Sequence, residues 1–464
     1  MSDLVAELSR LLGSDLVSDD RADRAAHAHD WSAGAFLDLR TGRDGGQVAC
    51  VVRPETTQQV AAVLEWAQTS GTPVVPYGGG SSVCRGISGV GGIALDTGGM
   101  WQLLDIDEKS RLVDVQAGIS GPQLEEALTT QGWFLGHHPQ SIDISSVGGW
   151  VATRACGQLS ARYGGIESLV AGLEAVLPGG RVVTSKPAPR RSVGPDLMSL
   201  LLGSEGTLGV ITRVVLRVVP RPGERVDRCV RFDHMNEGVA ACRKLAQSDL
   251  VPTVVRLYDA VDSTLFLRNH PDEPQGPLLI LSFDGHGAAE RADRAVELAG
   301  GTPGNDALAA HWWAHRNDAV DQFRNIMSGE GLLGPHGLVD TMEVSGTWTV
   351  LRDLYHRTRA TLEPLTDLVG CHISHIYPDG ACLYFTMAAA CSDDDEATAR
   401  LARWWEAGMA TCLEAGGSIS HHHGIGRLKA PWLEAELGGW WQVLKAVKGA
   451  IDPKGIMNPG VLGL

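Results

Sequence analysis

Three separated loops of glycine and hydroxyl residues, each beside a predicted strand, constrain the fold of this chain most strongly. They read TPVVPYGGGSSVC at 72–84, GHHPQSIDISSVGGWVATRACG at 136–157 and GSEGTLGVIT at 203–212. Glycine has no Cβ atom, so backbone N–H groups in such loops can crowd around an anion such as a pyrophosphate. The pattern predicts an extended phosphate-bearing ligand that is held largely by backbone groups.

The first loop taken alone is ambiguous, because a plain tight turn explains a glycine triplet equally well. It is not a Walker loop, since no Gly-Lys-Ser/Thr follows it. It is also a poor dinucleotide fingerprint, because Val83 stands where the third glycine would be. The recurrence of three loops is what favours a cofactor site.

Charge and composition exclude several classes of protein. The 464 residues include 39 Lys and Arg against 55 Asp and Glu, a net charge of −16. Nucleic-acid binding needs a positive footprint, so we expect none, and an anionic substrate must meet a local Arg or His cluster. The apolar stretches are far shorter than the roughly 20 residues of a membrane-spanning helix, and the N-terminus lacks a signal pattern. We expect a cytoplasmic protein with at most peripheral membrane contact.

The cysteines also favour a cytoplasmic protein. The nine cysteines are an odd number and include no C-x-x-C pair. This usage is typical of reduced thiols and favours neither a disulfide framework nor a zinc site.

Hydrophobic periodicity predicts an α+β protein of several parts. A strand is predicted at Val48–Val52 and a helix at Thr56–Ser70, started by Thr57 and Gln59 and ended by Gly71. Further along, residues 305–365 are predicted to be helical, 372–387 to form two strands, and 432–447 to form one terminal helix. The predicted parts are a helical lead-in at 1–46, a cofactor domain at 47–222, a cap domain at 223–425 and a returning helical segment at 426–464.

Four motifs in the cofactor domain resemble the FAD-binding domain of the vanillyl-alcohol-oxidase type, also called the PCMH type. They are VVRPETTQQVAAVLEWAQ, VPYGGGSSV, SIDISSVGG and GSEGTLGVIT, in this order. The resemblance implies FAD, bound non-covalently because Ser81 and Ser82 stand where many relatives carry a tethering His. The cofactor residues it implies are Pro76, Tyr77, Gly78, Gly79, Gly80, Ser81, Ser82, Gln140, Ser141, Asp143, Ser145, Ser146, Gly149, Thr153, Cys156, Glu205, Gly206, Val210 and Ile211.

The segment GGSISHHHGIGRLKAPWL at 416–433 carries the sharpest second-half motif. From the residues alone it could be a metal site, a catalytic loop or an exposed polar loop. Related FAD enzymes that oxidise 2-hydroxy acids usually have G-E-H-G-I-G here, together with H-x-G-D-G-N-x-H, and bind a divalent metal. Alkyldihydroxyacetonephosphate synthases have S-H-H-H-G-[IV]-G, which this chain resembles. Because the Glu is absent, we expect no metal.

Other segments resemble the synthases as well. They are HISHIYPDGACLYF at 372–385, VVRLYDA at 254–260 and QFRNIMSGEGLL at 322–333. The resemblance implies that Arg256 and Arg324 bind substrate and that the catalytic residues are Tyr384, His421, His422 and His423.

The implied reaction exchanges the acyl group of an acyl dihydroxyacetone phosphate for a fatty alcohol, through a bond to flavin N5 and without net redox change. Tyr384 would be the base. A phenol with a pKa near 10 must have that pKa lowered by cationic or His neighbours to act in this way.

Two other functions remain open at this level. One is an FAD-linked oxidase or dehydrogenase of a 2-hydroxy acid or small alcohol, in which His375, with His372 or His423, holds a metal or acts as base. The other is a flavin-binding protein without catalysis. In the enzymatic readings the substrate is a small or lipid-like anion, and we expect a homodimer.

Overall fold

The computed structural model describes residues 2–43, 46–89, 91–267, 270 and 276–464. The N-terminal segment consists of short helices and one short strand. Its elements are α1 (Ser2–Leu12), β1 (Val17–Ser18), α2 (Arg21–Ala26) and α3 (Ala33–Arg40). Helix α1 packs against the helix Thr57–Ser70 of the cofactor domain, whereas α3 packs against the strand Gly337–Thr347 and the helix Asp394–Glu414 of the second half of the molecule.

A small four-stranded sheet comes next, in the order β1-β2-β4-β3, with β2 and β3 both parallel to β4. Its elements are β2 (Cys50–Val52), α4 (Thr57–Ser70), β3 (Val74–Tyr77) and β4 (Ile93–Asp96). The predicted helix is confirmed, but its cap is one residue earlier than expected. Thr56 is the N-cap and exchanges hydrogen bonds with Gln59, whereas the Thr57 hydroxyl donates to Glu174 at 2.6 Å.

An antiparallel five-stranded sheet in the order β5-β6-β10-β8-β9 forms the second half of the cofactor domain. A two-stranded ribbon of β7 and β11 lies beside it. The elements are β5 (Leu103–Asp107), β6 (Leu112–Gln116), α5 (Gly121–Thr129), β7 (Trp133–Phe134), α6 (Val147–Thr153), α7 (Ser160–Tyr163), α8 (Ile166–Leu169), β8 (Val170–Leu177), β9 (Arg181–Thr184), β10 (Val210–Arg217) and β11 (Val219–Pro220).

A seven-stranded antiparallel sheet, in the order β15-β12-β14-β13-β17-β18-β16, builds the rest of the molecule. Its strands are β12 (Arg225–Arg231), β13 (Val254–Tyr258), β14 (Leu278–Asp284), β15 (Thr302–Pro303), β16 (Gly337–Thr347), β17 (Leu368–Ile376) and β18 (Gly380–Ala390). The accompanying helices are α9 (Met235–Ala246), α10 (Ala260–Leu267), α11 (Ala288–Ala299), α12 (Ala307–His315), α13 (Ala319–Met327), α14 (Trp348–Leu362) and α15 (Asp394–Glu414).

Two sequence predictions in this half are wrong. Residues 305–365 are not all helical, because they contain the 11-residue strand β16, which brings the buried polar residues Asp340 and Glu343 into the sheet. Those two side chains interrupt the apolar pattern by which a strand is recognised. The single terminal helix is two helices, α16 (Ala430–Leu437) and α17 (Trp440–Ile451), because Gly438 breaks it with φ 53° and ψ −128°.

The C-terminal segment packs back on the cofactor domain, as predicted. Lys448 Nζ donates to the carbonyl of Thr207 at 2.7 Å, and the Val74 amide donates to the carbonyl of Ile456 at 2.8 Å.

Each of the nine cysteines is a free thiol. Across the described residues, no helix combines the length and apolar character needed to span a bilayer. The predicted α+β class with a PCMH-type cofactor domain is confirmed.

Candidate active site

A long cleft runs between the three glycine loops and one face of the seven-stranded sheet. The loops follow β3 and precede α6 and β10, while the opposite wall is formed by β13, β16, β17, β18, α13 and the histidine loop (Ser418–Gly426). The predicted cofactor residues that line the cleft are Pro76, Tyr77, Gly78, Gly79, Gly80, Ser81, Ser82, Gln140, Ser141, Ser146, Gly149, Thr153, Cys156, Glu205, Gly206, Val210 and Ile211. Three loops that are far apart in sequence therefore share one surface.

The first glycine loop lies directly against the second. A Cβ atom on Gly78 would collide with the Ser146 hydroxyl, and one on Gly79 would collide with the Ile144 carbonyl oxygen. Gly80 has φ +70° and would meet the ring of Tyr77. Larger residues would push the two loops apart, so the glycines are required for the cradle that the sequence predicts.

Two predicted cofactor residues do not line the cleft. Asp143 lies in a short 3-10 turn and is exposed. The Ser145 hydroxyl is buried and accepts a hydrogen bond from the Trp150 indole N–H at 2.7 Å. Both residues shape the second loop from outside, and the structure does not support direct contact between their side chains and the cofactor.

The opposite wall brings Tyr384 and the histidines together. Tyr384, on β18, stacks on His372 of β17 with ring centroids 4.7 Å apart and an interplanar angle of 19°. Its ring centroid lies 6.0 Å from that of His422 and 5.3 Å from that of His423. These four side chains and His375 all line the cleft.

Arg256 supplies a buried positive charge to this wall. Among the described residues that line the cleft it is the one Arg or Lys, and it is 7% exposed. Its Nη2 lies 2.9 Å from His372 Nε2, and its guanidinium carbon lies 5.6 Å from the ring centroids of both Tyr258 and Trp312. A planar guanidinium in this position can bind a carboxylate or phosphate group.

Arg324 and His421 do not reach the cleft. Arg324 is an exposed residue of α13 and pairs with Asp321 at 2.7 Å, so its predicted contact with substrate is not supported by its position. The His421 ring turns away from the cleft, accepts or donates a hydrogen bond at 2.8 Å to the Tyr377 hydroxyl, and stacks on His375. Of the predicted catalytic residues, Tyr384, His422 and His423 line the cleft.

Two buried carboxylates hold the histidine loop in place. Glu343, on β16 and fully buried, accepts the backbone N–H groups of His421 and His423, the latter at 2.9 Å. It also accepts from the Ser420 hydroxyl at 2.9 Å and from Lys429 Nζ at 2.8 Å. The loop is therefore fixed through its backbone, and the imidazoles of His422 and His423 line the cleft.

Glu205 holds the other end of the loop. Its two carboxylate oxygens accept the backbone N–H groups of Ile425 at 2.7 Å and Gly426 at 2.8 Å. It was predicted to contact the cofactor, and it both lines the cleft and joins the cofactor domain to the histidine loop. Burial raises the pKa of Glu205 to about 7.

Burial keeps the histidines of the cleft neutral. It lowers the pKa of His423 to about 4 and lowers the pKa values of His372, His375 and His422 well below their ordinary value. The pKa of Tyr384 moves in the direction opposite to the one predicted, because burial raises it and Arg256 offsets this only in part. The site at neutral pH therefore presents neutral imidazoles and a protonated phenol.

Two groups of side chains, which share His421, could hold a metal ion. Single ligand atoms of Cys156, His375 and His421 lie within 4.8 Å of one another, as do those of Cys382, His421 and His422. Hydrogen bonds already engage the first group, since His375 Nδ1 lies 2.6 Å from the Ser160 hydroxyl and His421 bonds to Tyr377. The prediction of no metal therefore stays open to test.

Four polar atoms of residues that line the cleft are buried without a hydrogen-bond partner among the described residues. They are Arg256 Nε, Ser374 Oγ, His423 Nδ1 and Asn458 Oδ1. Buried polar groups are nearly always paired, so these atoms indicate a cleft built to contact polar groups of a ligand. Together with the glycine cradle, they fit a large cofactor that carries phosphate and ring nitrogen groups.

The fold and the cleft define a flavoprotein with an FAD-binding domain and a second domain that forms the opposite wall of the cleft. Residues 48–186 match the FAD binding domain model, and residues 221–462 match the model for the C-terminal domain of FAD linked oxidases. The chain belongs to the FAD-linked oxidase family, and its cofactor is FAD.

Known relatives cover nearly the whole chain. The Escherichia coli K12 protein described as uncharacterized FAD-linked oxidoreductase YgcU is 31% identical over 99% of this chain and 98% of its own. Alkyldihydroxyacetonephosphate synthase of Dictyostelium discoideum is 27% identical over 98% of this chain and 80% of its own. A solved structure of an alkyldihydroxyacetonephosphate synthase superposes with a TM-score of 0.79 and 26% identity, covering 99% of this chain and 84% of that one. The synthase-like family predicted from the motifs is confirmed.

Sequence reasoning missed the residues that hold the site together. Lys429 stands inside the quoted histidine motif, but nothing in the motif shows that it pairs with Glu343, 86 residues earlier. Asp262, which contacts His372, lies 110 residues before it. A polar residue in an otherwise apolar segment was the available signal for Glu343 and Asp262.

Proposed function

We propose that the protein is an FAD-dependent enzyme of the alkyldihydroxyacetonephosphate synthase type, which exchanges the acyl group of an acyl dihydroxyacetone phosphate for a long-chain alcohol without net redox change. The observation that carries the proposal is the juxtaposition of buried Arg256 with Tyr384, His422 and His423 on one wall of the FAD cleft. The full-length similarity to synthases supports the same reading.

The three glycine loops would hold the FAD, with its pyrophosphate at residues 76–82, where backbone N–H groups can surround it. When bound, the flavin offers an electrophilic N5 to the carbon that loses the carboxylate. The limits of the domains are part of this proposal, with cofactor binding at 47–222 and substrate covering at 223–425.

Arg256 would bind the anionic group of the substrate, because its guanidinium is fixed by His372 and by the aromatic rings around it. Burial of the site strengthens this attraction, because little water remains to screen the charge.

A neutral imidazole of His422 or His423 would accept the proton that the substrate carbon loses. Their lowered pKa values keep them unprotonated at neutral pH, as a proton acceptor must be. The resulting imidazolium would return that proton to the carbon, and the protonated Tyr384 hydroxyl would donate a hydrogen bond to the departing oxygen. This assignment moves to a histidine the base role that the resemblance implied for Tyr384.

A second candidate is the oxidation of a 2-hydroxy acid or small alcohol. The observation in its favour is that Arg256 is alone as a fixed cation on the described cleft while Arg324 lies outside it. One guanidinium matches a carboxylate, whereas a phosphate ester is usually met by more donors. His375 also lines the cleft and could take the hydroxyl proton.

Anaerobic mixing with each substrate class separates the two candidates. With an acyl dihydroxyacetone phosphate in deuterated water, the synthase proposal expects exchange of the C1 hydrogen while the flavin stays oxidised. With 2-hydroxy acids it expects no bleaching of the flavin. Rapid bleaching by a hydroxy acid, with no exchange in the ketone phosphate, would replace the first candidate by the second.

A further inference from the structure

We infer that Asp262 and His372 are positioning residues that hold the Arg256 guanidinium toward the substrate anion. The inference rests on the proposed function only for the identity of the substrate, because anion binding by Arg256 can be measured without turnover. Neither residue needs to touch the substrate for this role.

The three side chains form a buried chain of contacts behind the cleft. Asp262 Oδ2 lies 2.7 Å from His372 Nδ1, and His372 Nε2 lies 2.9 Å from Arg256 Nη2. Asp262 is 0% exposed and His372 is 2% exposed. Gly370 lies two residues before His372, on the same face of the strand. Its lack of a side chain leaves room for the Asp262 carboxyl group, since a Cβ atom on Gly370 would collide with Asp262 Oδ1.

The chemistry of arginine fixes the tautomer of His372. A guanidinium can donate hydrogen bonds but cannot accept them, so Nε2 of His372 must carry a lone pair. The proton of the neutral imidazole is then on Nδ1, where it donates to the Asp262 carboxylate. His372 is therefore unavailable as a base through Nε2, and its ring acts as a rigid bridge between a carboxylate and a guanidinium.

This arrangement also accounts for how Arg256 stays buried on the wall of the cleft. An unpaired buried charge is costly, and here the guanidinium donates to His372, whose other ring nitrogen donates to the Asp262 carboxyl group. The remaining guanidinium atoms, including the unpartnered Nε, stay available to a ligand. The His372 ring also stacks on the Tyr384 ring, which holds the imidazole in one orientation.

The test measures binding of inorganic phosphate to the FAD-loaded enzyme, followed by the change in the flavin absorption spectrum. Asp262→Leu removes the acceptor of the Nδ1 proton, so the His372 ring is no longer held with its Nε2 lone pair facing the guanidinium. We expect phosphate affinity to fall about 10- to 100-fold, as for the loss of a hydrogen bond to a charged group. His372→Leu should do the same.

His372→Gln provides the rescue, because its amide oxygen can accept from Arg256. We expect its phosphate affinity to stay within about 3-fold of the wild type. Ser263→Ala is the matched control, since Ser263 is buried on the same helix as Asp262 but hydrogen-bonds to the carbonyls of Ala260 and Gly276. Equal affinity in Asp262→Leu and the wild type would overturn the inference, as would a loss in His372→Gln as large as in His372→Leu.

Neutron diffraction from crystals of the wild-type holoenzyme gives an answer that does not depend on the folding of any variant. We expect a deuteron on His372 Nδ1 and none on Nε2, and the reverse would overturn the inference. Absence of phosphate binding in the wild type would instead count against the role of Arg256 in the proposed function. The two failures are therefore distinguishable.

Discussion

Replacing Lys429 by Met should release the histidine loop while keeping the size of the side chain. Lys429 and Glu343 are both fully buried, and the ammonium lies 2.8 Å from the carboxylate. The same carboxylate accepts the backbone N–H groups of His421 and His423. Removal of the lysine leaves a buried negative charge whose remaining donors are neutral.

The expected loss of folding free energy is about 3–5 kcal/mol, the range found when one partner of a buried ion pair is removed. A domain stability of about 5–15 kcal/mol makes this a large fraction of the total. By contrast, Arg213→Met removes the half-exposed partner of Asp114 and should cost less than about 1 kcal/mol.

The pKa of Glu343 determines how this loss depends on pH. Burial alone would raise that pKa, but Lys429 holds it below its ordinary value. The ion pair therefore stabilises the wild type above the pKa of an unfolded glutamate, and this stabilisation is lost as the pH falls through the folded pKa. In Lys429→Met the pKa should rise, so the penalty is greatest at high pH and shrinks as the carboxyl group takes up a proton.

The assay is thermal unfolding of the holoenzyme, followed by flavin fluorescence at pH 5 and pH 8, for the wild type, Glu343→Gln, Lys429→Met and the double variant Glu343→Gln/Lys429→Met, which together form a double-mutant cycle. The double variant removes both charges and should recover much of the stability lost in Lys429→Met. Additive losses, or a Lys429→Met penalty that does not change with pH, would refute the reasoning.

Four further predictions follow from the site. Gly79→Ala should abolish or greatly weaken FAD binding in a reconstitution titration, because the new Cβ would collide with the second glycine loop. Gly449→Ala is the control and should bind FAD normally, because its Cβ would meet nothing within 4 Å. Tyr384→Phe should lose at least about 100-fold in turnover, as for loss of a proton-transfer group, with an unchanged flavin spectrum and melting temperature; full activity would remove Tyr384 from the mechanism. The pKa of Glu205 is raised to about 7, so its contribution to stability is full below the pKa of an unfolded glutamate and is lost as the pH rises through 7. The free energy of unfolding should therefore fall less between pH 5 and pH 8 in Glu205→Gln than in the wild type, by up to about 3 kcal/mol. An equal fall in the two proteins would contradict the raised pKa of Glu205. Acid precipitation of the yellow protein should leave the flavin in the supernatant, and colour retained in the pellet would show a covalent tether.

The cofactor cradle could be predicted from the sequence because its determinants are local. Each glycine loop is a short run next to a strand, and the loop conformation depends on residues that are neighbours in the chain. The same holds for α4, whose capping residues and closing glycine lie at its own ends. The N-cap at Thr56 is local as well, because it forms a capping box with Gln59, while the Thr57 hydroxyl donates to the distant Glu174.

The catalytic wall was predictable only in part, because its order depends on contacts between distant residues. Tyr384, His422 and His423 were found through their motifs, but Glu343, Lys429 and Asp262 act through partners that the chain brings together only on folding.

Arg324 was predicted to bind substrate, but the structure places it outside the cleft. Its neighbour Phe323 lines the cleft, but an α-helix turns by about 100° for each residue, so the next side chain faces away.

A crystal structure of the FAD-loaded enzyme tests the central claim most directly. The account predicts that the flavin ring lies in the cleft within contact distance, about 4 Å, of Tyr384 or His422, with the pyrophosphate beside residues 76–82. A flavin ring bound elsewhere, or one separated from both side chains by a second layer of protein, would contradict it.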